Sequence, residues 1–109
     1  MTCVTITKKN DNIVKVVCDG HTDYGVSGED IVCSALSSIV QTAVLGLLMV
    51  AGINLNLVRN EDRGYLSFDV PQDITEQQRY DANIILNTML CGISDLREGY
   101  SDFVELEVK

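Results

Sequence analysis

The sequence contains little of what disordered, fibrous and repetitive proteins depend on. It has one proline and no tryptophan, and only 6% of its 109 residues are aromatic. It also lacks internal repeats and low-complexity segments. With 46% apolar and 22% charged residues, the composition is that of a compact globular protein with one hydrophobic core. We therefore treat residues 1–109 as a single domain.

Basic residues are scarce as well. Eight lysines and arginines stand against 16 acidic residues, which gives a net charge of −8. Such a surface repels phosphate backbones, so we expect no direct nucleic-acid partner. The charge can serve solubility alone, and it also favours encounter with a basic protein.

The four cysteines, Cys3, Cys18, Cys33 and Cys91, lack the close CxxC spacing of metal sites and the density of a disulfide scaffold. The first nine residues end with Lys8 and Lys9, the reverse of the charge order in a signal peptide. These features predict a reduced, cytoplasmic protein with no metal site and no cofactor.

Charged residues are absent between Asp30 and Arg59, a stretch long enough to span a bilayer. Polar residues nevertheless recur at helical spacing in its first half, and the segment before it is acidic rather than basic. They are Ser34, Ser37, Ser38, Gln41 and Thr42. We predict a buried helix that ends near residues 51–52 and no association with a membrane. Its second half, residues 43–50, is apolar on all sides and calls for cover by a subunit interface.

The remaining patterns predict strands and a second helix. Residues 3–8 and 13–19 have strand composition and flank a turn at 10–12, and residues 54–58 and 65–70 form a second such pair. After Pro71, Asp73 and Glu76 have the spacing of a capping box. Apolar residues then mark one face of a helix that ends at Gly99, namely Ile85, Met89, Ile93 and Leu96. Residues 103–108 alternate loosely, as an edge strand does.

The predicted order is ββαββαβ. Two hairpins and a final strand can form one mixed or antiparallel sheet, and two helices can cover its apolar face. The expected fold class is therefore α+β with two layers. The strand order within the sheet does not follow from these patterns.

One segment departs from ordinary core sequence. Residues 21–29 have no apolar period and include glycines, so we predict a mobile loop between the end of a strand and the long helix. Asp30 is expected to cap that helix, which puts Cys33 in its first turn. There the helix dipole and the unpaired N–H groups favour a thiolate, which is nucleophilic.

A cysteine nucleophile needs a group that pairs with the thiolate and protonates the departing amine. His21, the only imidazole in the sequence, is the sole candidate of this type, and the loop can bring it over the start of the helix. Composition and spacing alone favour a role of Cys33 as a packed core residue.

Gly20-His21, the tyrosine and glycines of the loop, and the run Asp30-Ile31-Val32-Cys33-Ser34-Ala35 followed by Ser37 closely resemble the bacterial ribosomal-processing cysteine protease family. The similarity is specific from residue 20 to about residue 47. It implies His21 and Cys33 as the catalytic pair, with Gly20, Asp30 and Ser37 as supporting motif positions. The chain departs from the family motif at none of these five positions.

The resemblance further implies a cysteine endopeptidase that removes a short N-terminal extension from the large-subunit ribosomal protein numbered twenty-seven. It implies a homodimer, and a loop that orders when substrate binds, in which Tyr24, Gly25 and Gly28 are candidate substrate contacts. Asp30 then either caps the helix or orients His21. Ser37 bonds either near the thiol or to a backbone carbonyl.

Two other functions remain open at the level of sequence. A non-catalytic acidic module could hold a basic ribosomal protein through its surface charge. Alternatively, an accessible Cys33 could act as a redox sensor, although the sequence offers no well-placed resolving cysteine.

Overall fold

The chain folds in the order ββαββαβ, as the sequence predicts, and belongs to the α+β class. The structure is a computed structural model that describes residues 1–20, 27–60 and 64–109, and of residues 27–30 it describes the backbone alone. The elements are β1 (Thr2–Lys9), β2 (Asn12–Asp19), α1 (Ser27–Leu45), a π-helical turn (Gly46–Val50), β3 (Asn56–Asn60), β4 (Tyr65–Asp69), α2 (Glu76–Gly99) and β5 (Val104–Val108).

The first hairpin closes through a two-residue turn. Lys9 pairs with Asn12, so Asn10 and Asp11 alone form the connection, and both have positive φ, 53° and 64°. Positive φ at both central residues is the signature of a type I′ turn, whose twist matches that of the flanking strands. Asparagine and aspartate tolerate this conformation better than other side chains, which confirms the predicted turn.

The five strands form one mixed sheet in the order β3-β4-β2-β1-β5. All neighbours are antiparallel except β1 and β5, which run parallel with Thr2 opposite Val104. The last strand therefore lies at one edge of the sheet, as predicted. Strand β1 lies between β2 and β5, so its first residues are fixed from both sides.

Both helices cover one face of the sheet. Val4 of β1 stands opposite Cys18 of β2, and Ile6 opposite Val16, so their side chains share that face. The core joins such strand residues to residues of both helices: Val4, Ile6, Val16, Phe68, Leu36, Val40, Leu47, Leu86 and Ile93. This is the two-layer arrangement expected from the sequence.

Helix α1 begins four residues before the position implied by a cap at Asp30, which would make residue 31 the first helical residue. It starts at Ser27, so Asp30 is its fourth residue and does not occupy the N-cap position. The prediction of Asp30 as the cap is therefore wrong, and Gly28 belongs to the helix rather than to the preceding loop.

The long helix ends where the sequence predicts, but its last turn is π-helical rather than α-helical. The N–H of Ala51 donates to the carbonyl of Gly46, five residues back, at 3.0 Å, as in a π-helix. Gly52, with φ +67°, follows directly and ends the helical path. By length and composition alone, Ile31–Val50 could span a bilayer, but its residues Leu36, Val40 and Leu47 lie in the core. The core helix of a soluble fold passes the same test.

Helix α2 is capped by Thr75 rather than by Asp73. The backbone N–H of Gln78 donates to the Thr75 hydroxyl at 3.0 Å, and the Thr75 N–H donates to the Gln78 side chain at 3.0 Å. The capping box is thus two residues later than predicted, because Thr-x-x-Gln fulfils the same pattern as Asp-x-x-Glu.

The apolar face of α2 and its end agree largely with the predicted pattern. Met89 and Ile93 are buried, whereas Ile85 and Leu96 are only partly buried at the margin of the core. The helix ends at Gly99, as predicted. Strand β3 begins two residues later than expected. All of its residues are exposed, so its sequence lacks the alternation of buried and exposed residues that would mark where the strand begins.

Candidate active site

A cleft with a volume of about 420 Å³ opens where α1 crosses the end of the sheet at which β1 begins and β2 ends. Strand and helix residues line it together: Thr2, Cys18, Gly20, Cys33, Ser34, Leu36, Ser37, Val40, Gly64 and Leu66. Three of the residues predicted for the site, Gly20, Cys33 and Ser37, are therefore brought to one cavity. This cleft is the candidate active site.

Cys33 is the seventh residue of α1 and is half-buried at the edge of the cleft. The prediction that it lies in the first helical turn is wrong, since the helix begins at Ser27. Only the first four N–H groups of a helix lack an intrahelical partner, and the effect of the dipole falls off within the first turn. The sulfur thus depends on neighbours outside α1 more than the sequence suggested.

One such neighbour is Thr2, the first residue of β1. Its hydroxyl oxygen lies 3.5 Å from the Cys33 sulfur, within hydrogen-bonding distance for sulfur, and either atom can be the donor. The same hydroxyl donates to the carbonyl oxygen of Gly20 at 3.2 Å. Thr2 thus joins the nucleophile candidate to the end of β2.

Thr2 is held firmly in this position. It is only 6% exposed, and its N–H donates to the carbonyl of Phe103 at 2.9 Å, just before β5. Its side chain lies on the same helix-covered face of β1 as those of Val4 and Ile6. A buried hydroxyl in a strand between two others has little freedom to move away from the sulfur.

Gly20 occupies a conformation that other residues rarely adopt. Its φ is +126°, and a Cβ at this position would collide with the carbonyl oxygen of Met1 and lie 3.0 Å from the Cα of Thr2. Glycine is required here both for the backbone angle and for the close approach of β1. The motif glycine therefore fixes the path of the chain immediately before His21.

Ser37 lies one helical turn after Cys33 and faces the same cleft. Its hydroxyl accepts a hydrogen bond from the side-chain amide of Gln41 at 2.6 Å. The described contact is thus neither of the two that the sequence analysis considered. It is a helical i, i+4 pair at the rim of the cleft.

The structure describes the other predicted site residues only in part. His21, Tyr24 and Gly25 lie outside the described residues, and for Asp30 and Gly28 only the backbone is described. The pairing of Cys33 with His21 therefore stays a prediction. Gly28 belongs to the first turn of α1.

The inner wall of the cleft is apolar. Leu36, Val40 and Cys18 are buried beneath it, and no lining residue within the described parts of the chain is charged. Burial raises the pKa of the Cys18 thiol to about 12, so this second cysteine of the cleft stays protonated at neutral pH. The cleft suits an uncharged side chain, with one cysteine available for chemistry.

The remaining cysteines stand away from the cleft. Cys3 is exposed, and its thiol donates to a carboxylate oxygen of Glu105 at 3.7 Å. Partial removal of the thiol from water and the nearby negative charge of Glu105 both raise the pKa of Cys3. Cys91 is exposed on α2. Across residues 1–20, 27–60 and 64–109, no cluster of three metal-ligating side chains is found.

Sequence analysis missed Thr2. Nothing in its composition distinguishes it from Thr5 and Thr7, which follow in the same strand. Its contacts with Gly20 and Cys33 cross 18 and 31 positions of the chain, so only the register of β1 against β2 and its packing against α1 reveal them.

Comparison with known proteins gives a consistent result. The sequence model of the family described as cysteine protease Prp matches residues 1–105. The ribosomal processing cysteine protease Prp of Bacillus subtilis is 27% identical over 99 residues, which cover 90% of this chain and 88% of that protein.

Solved structures give the same picture. A Streptococcus mutans protein superimposes with a TM-score of 0.88 at 28% identity, covering 99% of this chain and 93% of the other. The S. aureus processing protease Prp, in complex with a covalently linked product peptide, superimposes with a TM-score of 0.85 at 25% identity, over the full length of both chains.

Proposed function

Because the chain belongs to the cysteine protease Prp family, we propose that it removes a short N-terminal extension from the large-subunit ribosomal protein numbered twenty-seven. The family membership makes the chain a cysteine protease. The identity of its substrate is the proposal. Relatives named ribosomal processing cysteine proteases support it, since their similarity extends over nearly the whole of this chain.

The observation that carries the proposal is the position of Cys33. Its half-buried sulfur lines a cleft of about 420 Å³ and contacts Thr2, which also binds Gly20, the residue directly before His21. Gly20, which directly precedes His21 in the sequence, itself lines this cleft. This supports Cys33 as the nucleophile and His21 as its base.

In the proposed reaction, the sulfur of Cys33 attacks the scissile carbonyl carbon after passing its proton to His21. The tetrahedral intermediate collapses as His21 protonates the departing amine, which leaves a thioester on Cys33. Water then hydrolyses the thioester and releases the second fragment. The S. aureus relative was solved with a covalently linked product peptide, as expected of covalent catalysis.

The supporting residues take more limited roles. With the cap position excluded, Asp30 is proposed as the group that orients His21. Tyr24 and Gly25 remain candidate contacts of the substrate in the segment before α1. The apolar wall under Cys33, formed by Leu36 and Val40, supports recognition of an uncharged substrate side chain.

The proposed partner also fits the charge of the chain. A net charge of −8 favours approach of a basic ribosomal protein and disfavours direct contact with nucleic acid. A cytoplasmic location follows from this proposal, since the ribosomal substrate is made there. Free thiols at all four cysteines are compatible with such a compartment.

We also propose that the protein acts as a homodimer. Leu45, Met49 and Val50 at the end of the long helix are 54%, 78% and 82% exposed. Beside them, an apolar groove of about 600 Å³ runs between α1 and α2. An apolar ridge next to an apolar groove allows two copies to bury both in one symmetric interface.

Cleavage of synthetic peptides tests the catalytic proposal. A peptide that carries the N-terminal extension of the ribosomal protein is incubated with wild-type protein and with Cys33→Ala, His21→Ala and Cys91→Ser variants. We expect two fragments from wild type and from Cys91→Ser, and none from the other two. Unchanged cleavage by Cys33→Ala would refute the assignment of the nucleophile.

The same variants separate protease from binding module. If the acidic module were the function, wild type would bind the extended ribosomal protein without cutting it, and Cys33→Ala would support ribosome assembly in cells. A redox sensor would instead leave the peptide intact and show oxidised Cys33 by mass spectrometry. The protease proposal requires the opposite outcome in each case.

A further inference from the structure

The contact between Thr2 and Cys33 has a chemical consequence that depends on how many protons a hydroxyl carries. Thr2 has one O–H, and in the structure it lies within reach of two acceptors, the Gly20 carbonyl at 3.2 Å and the Cys33 sulfur at 3.5 Å. It can donate to only one of them at a time. Which acceptor it serves depends on the state of the sulfur.

When Cys33 is a thiol, both contacts are satisfied together. The S–H donates to the Thr2 oxygen, and the Thr2 O–H donates to the Gly20 carbonyl. A thiolate has no proton and can only accept, so the same arrangement would place a hydroxyl lone pair against a negative sulfur. Rotation of the hydroxyl about its C–O bond removes this repulsion without any movement of heavy atoms.

We propose that Thr2 is a positioning residue for the nucleophile, whose hydroxyl transfers its hydrogen bond from the Gly20 carbonyl to the Cys33 sulfur when the sulfur becomes a thiolate. This rests on the proposed function, in which the proton of Cys33 passes to His21. Hydrogen bonds to charged groups are stronger than those between neutral groups, so the exchange favours the thiolate.

The location of Cys33 in α1 gives a donor from another element a role. The sulfur belongs to the seventh residue of the helix, beyond the four residues whose N–H groups lack intrahelical partners. Thr2 supplies a donor from a different element, and at 6% exposure it faces little competition from water. Its N–H bond to Phe103 holds its backbone in place while the hydroxyl rotates.

The exchange also affects the strand end beside the base. When the hydroxyl turns to the sulfur, the Gly20 carbonyl loses this donor, and Gly20 immediately precedes His21. The carbonyl then becomes available to a substrate N–H or to water at the cleft, which Gly20 lines. Ionisation of the nucleophile is thereby coupled to the backbone that leads to its base.

Three variants of β1 test the proposal. Thr2→Val keeps the shape of the side chain and removes the hydroxyl, whereas Thr2→Ser keeps the hydroxyl. Thr5→Val makes the same change in the same strand, on the opposite face and outside the cleft. Intact mass confirms that all have the same N-terminus, and thermal unfolding confirms that they fold. Thr2→Ala replaces Thr2→Val if the latter does not fold.

The first measurement is the rate of iodoacetamide alkylation at Cys33 at neutral pH, followed by peptide mass spectrometry. Cys91, exposed on α2, is the internal reference in every sample. A lost donor lowers the thiolate fraction but raises its intrinsic nucleophilicity, so we expect alkylation of Cys33 to fall about threefold in Thr2→Val. Thr2→Ser should restore the rate, and Thr5→Val should leave it unchanged.

The second measurement is cleavage of the extended peptide. We expect kcat to fall by a similar factor in Thr2→Val with KM unchanged, because the hydroxyl acts on the sulfur and not on the bound peptide. Equal alkylation of Cys33 in wild type and Thr2→Val, or failure of Thr2→Ser to restore it, would overturn the proposal.

The two measurements also separate this proposal from the proposed function. Slower alkylation in Thr2→Val with no cleavage by wild type would uphold the role of Thr2 and reject the substrate. Normal cleavage by wild type with alkylation unchanged in Thr2→Val would do the reverse.

Discussion

Gly20 lies so close to Met1 that a side chain at position 20 would overlap the Met1 carbonyl oxygen. The position of Gly20, the residue before the candidate base, is thus constrained by Met1, directly before the first strand. Together with the positive φ of Gly20, this contact explains physically why glycine stands next to His21.

Substitution of this glycine should therefore be far more harmful than substitution of another glycine with positive φ. Gly20→Ala adds an overlap with β1 to backbone strain, whereas at Gly52, with φ +67°, a Cβ meets nothing within 4 Å. We expect Gly52→Ala to lower the free energy of unfolding by about 1 kcal/mol and Gly20→Ala by about 3 kcal/mol. Urea denaturation measures both.

Peptide cleavage distinguishes the two glycines a second time. Gly20→Ala should lose activity even at temperatures at which it is fully folded, because the overlap displaces the residue before His21. Gly52→Ala should keep it. Equal stability and activity of the two variants would contradict the role assigned to the contact with Met1.

The buried thiol of Cys18 predicts a specific dependence of stability on pH. Burial raises its pKa from 9.0 to about 12, so between these values the unfolded chain releases this proton and the folded chain retains it. The unfolded state then binds fewer protons, and the free energy of unfolding falls as pH rises. Below pH 9 the contribution is constant.

Cys18→Ala isolates this effect from the titration of other groups. The variant should show a shallower loss of stability above pH 9 in urea denaturation at a series of pH values. Its lower stability at neutral pH, from the small cavity, does not affect the slope. Parallel curves for wild type and variant would contradict the prediction.

The cap of α2 can be tested against the cap that the sequence suggested. Thr75 accepts a hydrogen bond from Gln78, whereas Asp73 lies before the helix. We expect Thr75→Ala to lower the free energy of unfolding by about 1 kcal/mol and Asp73→Ala to change it little. A larger effect at Asp73 would show that the helix in solution begins earlier.

The proposed homodimer predicts that a charge on the apolar ridge separates the copies. Met49→Lys adds a charge to a side chain that is 78% exposed in the single chain, so the subunit should still fold. Light scattering over a dilution series should show a dimer for wild type and a monomer for Met49→Lys. Val58→Lys, at an exposed apolar residue of β3 that does not line the groove, is the control. A monomeric wild type at micromolar concentration would contradict the proposal.

The element order could be predicted from the sequence because each element carries a local signal. Asn10 and Asp11 give the turn of the first hairpin, and the apolar periodicity gives both helices. The exact helix starts were misplaced because a residue type that favours the cap position does not by itself exclude an earlier or later start. At α2 the pattern that begins at Thr75 competes with the one that begins at Asp73, and at α1 the helix extends back past Asp30 to Ser27.

The candidate site, too, has residues that carry a local sequence signal and residues that do not. Gly20, Cys33 and Ser37 could be assigned to one cleft because they carry a recognisable motif and because a strand end meets a helix start. Thr2 could not, since its role arises from register and packing between distant parts of the chain. The same holds for the strand order, in which the last strand pairs with the first.

That pairing makes the anchoring of Thr2 depend on the last strand of the chain. The backbone N–H of Thr2 donates a hydrogen bond to the carbonyl of Phe103, and β5 is the second strand that pairs with β1. During synthesis, the residues of β5 leave the ribosome after those of every other strand, so a nascent chain carries its nucleophile long before the neighbouring hydroxyl is anchored. The anchoring of Thr2 beside Cys33 is therefore completed only when the last strand pairs with the first.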